Sequence, residues 1–183
     1  MSDAERPAGR IDTWSKIATV FVAVFAAAQY SIDIYRSKTD SRRLEAISYI
    51  ERYAEDEMLN ARMDLLQFWR ERGEFAELVS SGAVSAENYG YFLLDQLDQD
   101  EPARAAAMRI GYFLDELYFC YLSRTCDRSM ILEYFCPQAI GQERGYFRYL
   151  REHDARLIGR DLYTGAKELS SICVDLENSS SAS

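Results

Sequence analysis

Histidine is nearly missing from this chain: His153 is the only one. That excludes chemistry needing two imidazoles, including dinuclear helix-bundle centres built on repeated Glu-x-x-His motifs. The four cysteines, Cys120, Cys126, Cys136 and Cys173, contain no C-x-x-C pair, so the close ligand spacing of a zinc site is lacking too. There is no Gly-rich phosphate loop, no G-x-S-x-G and no H-E-x-x-H, which removes the commonest signatures of nucleotide, acyl-transfer and metalloprotease chemistry. Cations are in short supply, with 21 Lys and Arg against 30 Asp and Glu for a net charge of −9. Binding to a phosphate backbone relies on clustered Lys and Arg, so nucleic acid is not an expected partner. No assembled catalytic constellation is visible, no cofactor is implied, and the expectation is a protein that is not an enzyme.

What is present is enough for a core. Hydrophobic residues make up 48% of the chain and charged residues 28%, with 13 Tyr and 9 Phe to supply large rings. Cys120 and Cys136 sit in apolar helical text, where a free cysteine behaves as a small hydrophobe. All four thiols are therefore expected to be reduced, although an even count permits two disulfides in an exported domain.

Residues 17–32 read IATVFVAVFAAAQYSI and lack Asp, Glu, Lys and Arg. The wider stretch 14–35 would extend roughly 33 Å as a helix, enough to span hydrocarbon. Trp14, Tyr30 and Tyr35 lie near its ends, where amphipathic rings favour a membrane interface. The expectation is a single-pass helix in a bacterial inner membrane. Four cations follow the run and three precede it, which tips the bulk of the chain to the cytoplasmic side. Two other readings compete. Residues 17–25 could be a signal-peptide core followed by Ala26-Ala27-Ala28 as a cleavage site, but the leader 1–16 has no net side-chain charge. A buried helix of a water-exposed bundle would need neighbours on nearly all sides. Within the run, Ser15, Thr19, Ala23, Ala27 and Ser31 recur at every fourth position. Such a small-residue row lets a second helix approach closely, so it is the expected face toward a partner membrane protein or a second copy.

The remainder keeps helical spacing. Leu44, Ile47, Ile50, Met58, Leu65 and Trp69 continue one apolar face, with charges between them. Residues 80–88 and Gly73 read as breaks. Ser85 opens a short segment, and Pro102 suits the first turn of a long helix from 103 to about 124. Apolar residues cover most of that helix, which should be central. Asp127 can cap the next helix, and Pro137 should stop or restart the chain. The expected architecture is all-α: a polar leader at 1–13, a transmembrane helix at 14–35, a bundle of about five helices at 36–176 and a disordered tail at 177–183.

The text IGYFLDELYFCYLSRTCDRSMILEYF together with RGYFRYLREH resembles an uncharacterised bacterial group of domains of unknown function. In that group an N-terminal membrane helix precedes a helical cytoplasmic domain. The resemblance implies this architecture and no activity. The group's pattern has Asn before the central acidic residue, where this chain has Asp115.

Asp115 and Glu116 interrupt the central apolar helix. Neighbouring carboxylates point about 100° apart on a helix and do not converge on one metal unaided. A buried carboxylate needs a partner, and Arg144, Arg148 or Arg151 could supply one. A polar cluster of Asp115, Glu116 and Arg148 is thus a candidate ligand site. Tyr149, His153, Arg156 and Arg160 share a second helix face. The leading functional expectation is a membrane-anchored accessory subunit that packs against a partner. The alternatives are a small-ligand sensor and an exported helical domain.

Overall fold

Three helices in this chain begin where a short polar side chain meets free backbone N–H groups. Ser85 Oγ accepts from the Asn88 N–H at 3.2 Å, Asp100 Oδ1 from Ala103 at 3.1 Å, and Asp127 Oδ1 from Ser129 and Met130 at 3.0 and 3.3 Å. Each satisfies donors that the first helical turn leaves orphaned. A computed structural model describes residues 8–158 and 162–181; for 8–21, 23, 76, 156–158, 180 and 181 it describes the backbone alone. The elements are α1 (Ala8–Ala54), α2 (Asp56–Arg70), α3 (Gly73–Ser80), α4 (Ala86–Asp98), α5 (Glu101–Ser123), α6 (Arg128–Gln142), a π turn (Glu143–Phe147), α7 (Arg148–Ile158) and α8 (Thr164–Ser181). No strand occurs among the described residues. Because α6, the π turn and α7 follow without a break, the described chain makes seven helical rods rather than about five. Short turns, such as the one at Glu55 between α1 and α2, are what raise the number.

The chain divides into two units, Met1–Ser41 and Arg42–Ser183. In the first unit, Val22, Val24, Phe25, Tyr30 and Tyr35 of α1 are all more than 60% exposed. Ser31 donates its hydroxyl to the Ala27 carbonyl at 2.8 Å, and Thr39 donates to Tyr35 at 3.0 Å. No new cap forms at residues 39–41; α1 runs through.

Among the described residues, no helix is long and apolar enough to cross a membrane. The expected single-pass inner-membrane placement, with its span at 14–35, is corrected accordingly. Five alanines contribute little transfer free energy, Gln29 interrupts the run, and Asp33 and Arg36 follow within the same helix. The side chains of residues 14–21 and 23 lie outside the described residues, as do those of Ser15, Thr19 and Ala23 in the small-residue row. So does the leader at 1–7.

In the second unit α5 is central. Ala103, Ala106, Ala107, Ile110, Phe113, Leu114 and Leu117 are buried along most of its circumference. It packs chiefly on α2 and α8, and α8 also packs on α6. Gly111 makes the α5–α8 side possible: a Cβ there would sit 2.3 Å from Tyr163 Cδ1. Tyr163 is fully buried at a left-handed φ of 56°, a conformation that costs a non-glycine residue roughly 1–3 kcal/mol and persists only where packing dictates it. Here its ring is held against Phe147, with centroids 5.2 Å apart.

The cysteines are not reduced. Cys120 pairs with Cys126, and Cys136 with Cys173. The first bridge closes the α5–α6 turn; the second ties α6 to α8. The sequence hid this: Cys136 and Cys173 come from different rods, and Cys126 lies in the turn just after the helix that holds Cys120, so no spacing signals either pair. Pro137 does not end a helix either, but sits inside α6. At the far end, α8 continues to Ser181, into the stretch read as a polar tail.

Candidate functional site

The expected cluster of Asp115, Glu116 and Arg148 is not brought together. Asp115 accepts from the Ala166 N–H at 3.2 Å, at the start of α8. Burial pushes its carboxyl above the usual aspartate range, against the pull of backbone donors at Ala166, Gly165 and Tyr163 and of Arg151. It acts as a cap lent by one helix to another. Glu116 lies on the opposite, open side and pairs with Arg52 of α1. Arg151 is taken by Glu143 and by the Tyr163 carbonyl, 3.0 Å away. Arg148 stands elsewhere, on α7.

The site that does form lies where α4 meets α7. It is a cleft of about 640 Å³ lined by Glu87, Gly90, Tyr91 and Leu94 from α4 and by Arg148, Tyr149, Glu152 and His153 from α7. Its floor follows from one residue. A Cβ on Gly90 would fall 2.5 Å from Tyr149 Cδ1, so only glycine lets the ring lie against the α4 backbone. Tyr149 also meets Tyr89, centroids 5.3 Å apart.

Behind the floor is an aromatic wall. Trp69 stacks against Tyr89 and Phe75 at 6.0 and 6.4 Å. Its indole N–H donates to the Tyr146 hydroxyl. Tyr89 donates to the Gly145 carbonyl at 2.7 Å, a group within the π turn. Such turns re-aim the residues around them, and here Tyr146 and Phe147 are buried while Arg148 faces outward. Burial raises both phenols, Tyr146 to about 12 and Tyr89 above the ordinary tyrosine range. Both therefore stay neutral donors at physiological pH.

His153 enters with a fixed ring. Its Nδ1 is 3.1 Å from Asp154 Oδ1, and Asp154 is buried. A carboxylate accepts, so Nδ1 carries a hydrogen and the ring orientation is set by this bond. Arg104 of α5 donates to the same Asp154 oxygen at 3.0 Å and also pairs with Asp98. Asp154 thus anchors α7 to α5 and orients the imidazole. Of the face shared by Tyr149, His153, Arg156 and Arg160, the first two line the cleft; the Arg156 side chain and Arg160 lie outside the described residues.

The charges in the cleft differ from those around them. Among the described residues, Arg148, Glu87 and Glu152 have no ion-pair or hydrogen-bond partner; Arg148 has only the edge of a cation–π contact, 6.0 Å from the Tyr149 ring centre. A smaller groove of about 260 Å³ beside α1, α2 and α5 holds Arg52, Glu55, Glu57, Arg109 and Glu116. There both arginines are matched, Arg52 with Glu116 and Arg109 with Glu57 at 3.2 Å, whereas the cleft's one arginine is not. No three His, Cys, Asp or Glu side chains among the described residues are placed to hold a metal ion.

Sequence reasoning placed Arg148 with Asp115 and Glu116, which the fold keeps apart, noted Tyr149 and His153 only as sharing a helix face, and missed the α4 half. Gly90, with apolar Leu93, Leu94 and Leu97 around it, was the available signal for a close helix approach. No family model matches the chain, and neither a curated protein nor a solved structure does.

Proposed function

We propose that this chain is a non-enzymatic binding module and that the cleft between α4 and α7 is its ligand site. The observation that carries the reading is Arg148, unpaired beside the Tyr149 ring in a concave space within the 300–1,000 Å³ typical of small-molecule sites. The surrounding network packs Tyr149 and bonds His153 before any ligand arrives, which lowers the entropy these two lose on binding. Two cystines form and persist in oxidising compartments, so this reading has the bundle working outside a reducing cytosol. A thermal-shift screen of the full chain against small metabolites tests it. Binding to the folded state alone raises the melting temperature. Reproducible shifts are expected, and they should vanish in the double variant Tyr91→Ala, Arg148→Gln. Shifts that survive in that variant place binding elsewhere and defeat the proposal.

A second reading, an accessory role through helix packing, is favoured by α1. Val22, Val24, Phe25, Ile32 and Tyr35 are exposed along one side and Tyr30 and Ile34 on another, whereas a helix apolar on all sides is normally enclosed. Glutamate at both Val24 and Phe25 should abolish any self-association seen by sedimentation velocity. Unchanged sedimentation of an associated species would remove this reading.

A further inference from the structure

The cleft's unmatched charges describe the ligand they would match. Arg148 offers a planar fork of donors suited to a carboxylate. Glu87 and Glu152 line the same cleft with carboxylate acceptors, and the Tyr91 and Tyr149 rings supply faces that attract organic cations. Arg148 against Glu87 and Glu152 makes one positive and two negative charges in the lining. An anion with no cationic group, such as inorganic phosphate, meets two glutamates for one arginine. A bare metal ion finds no converging ligand set among the described residues.

Resting on the binding-module reading, we propose that the cleft takes a basic amino acid: one carboxylate against Arg148, and ammonium groups between the glutamates and the tyrosine rings. The complement is one negative and two positive charges on a short aliphatic chain, which lies along Leu94 and the Tyr149 ring. Gly90 is the specificity element for depth, because any larger residue there displaces the ring on which the chain rests.

Calorimetric titration of the full, oxidised chain with L-lysine tests this, with cadaverine and L-norleucine as comparators that lack the carboxylate and the distal cation. Lysine should saturate one site, and each comparator should bind at least about tenfold more weakly. Arg148→Gln should bring lysine down to the affinity of cadaverine and leave cadaverine unchanged. The pair Glu87→Gln, Glu152→Gln should bring lysine down to the affinity of norleucine. All three positions are exposed, and circular dichroism confirms that the variants fold. Lysine binding no better than both comparators, or unaffected by these substitutions, overturns the ligand class. If thermal-shift hits of another chemistry are still lost in the Tyr91→Ala, Arg148→Gln variant, only the ligand class has failed. If hits persist there, the cleft itself has.

Discussion

Two faces of the same bundle are built on opposite terms. Where α5, α6 and α8 meet, two cystines cross between or close elements and Asp115 of α5 is bonded to the backbone at the start of α8; nearby, Arg151 is matched to Glu143. Where α4 meets α7, Arg148, Glu87 and Glu152 are left unmatched around a cleft. A group already satisfied by the fold has little to offer a ligand; a group left unsatisfied contributes little to the fold. Stability and recognition should therefore respond to different substitutions, and each prediction below tests that separation.

The largest effect is expected at the second cystine. Cys136 and Cys173 are 37 positions apart, and loop-closure entropy assigns such a bridge about 4 kcal/mol. Cys120 and Cys126 are 6 apart, for which the same relation gives about 2 kcal/mol. Denaturant unfolding of Cys136→Ser, Cys173→Ser and of Cys120→Ser, Cys126→Ser should show losses in that order. Ligand binding by the folded fraction should be retained in both. If removing the longer bridge shifts the midpoint no more than removing the shorter one, α6 and α8 are held by packing rather than by sulfur. If either removal abolishes binding by folded protein, the two faces are not separate.

How much of this was legible follows from the physics of each feature. Local signals read well: Ser85 and Asp127 as caps, Pro102 at the start of α5, and α5 as an apolar central helix. Each depends on neighbours within a few residues. Features made by distant segments did not read. The Cys136–Cys173 bridge joins different rods, and the Gly90–Tyr149 approach joins residues 59 positions apart. Pro137 failed as a stop signal because tertiary packing overrides one missing amide donor. The 17–32 stretch misled for another reason: a run without charges is not the same as a strongly apolar one, and its alanines and Gln29 keep it short of a span. Asp115 and Glu116, adjacent in sequence, went to opposite tasks because a helix turns about 100° per residue.

A middle-sized effect should separate two capping aspartates. Asp127 caps α6 from its own chain end, and the Ser129 hydroxyl bond is the main cause holding its carboxyl below the usual range. Replacing it with Ala should lose about 1 kcal/mol. Its depressed folded pKa means that the unfolded chain binds the proton more readily. The stability it contributes is present above the ordinary value of about 3.9 and is lost as pH falls through the lower folded value. Asp115 runs the other way. Burial raises its folded pKa, so the folded state binds the proton more readily and stability is regained as pH falls through that raised value. Unfolding free energies measured from neutral to acid pH should therefore fall less on acidification in Asp127→Asn, and rise less in Asp115→Asn, than in the parent chain. Changes of the same sign in both variants would mean that the two caps share one environment.

The smallest effect is the sharpest test of the separation. Arg148 is exposed, has no ion-pair partner among the described residues, and touches Tyr149 only at the 6.0 Å limit of a cation–π contact. Tyr91 is 68% exposed. Surface changes of this kind usually stay within about 0.5 kcal/mol. Arg148→Gln and Tyr91→Ala should accordingly leave the denaturant midpoint in place while removing ligand-induced thermal shifts. Arg104→Gln is the matched control, since it frees the buried Asp154 carboxylate, and loss of one partner of a buried pair destabilises strongly. If Arg148→Gln weakens the fold as much as Arg104→Gln does, Arg148 is a structural residue and the cleft is part of the scaffold. If it alters binding alone, the unmatched charges of α4 and α7 belong to a ligand.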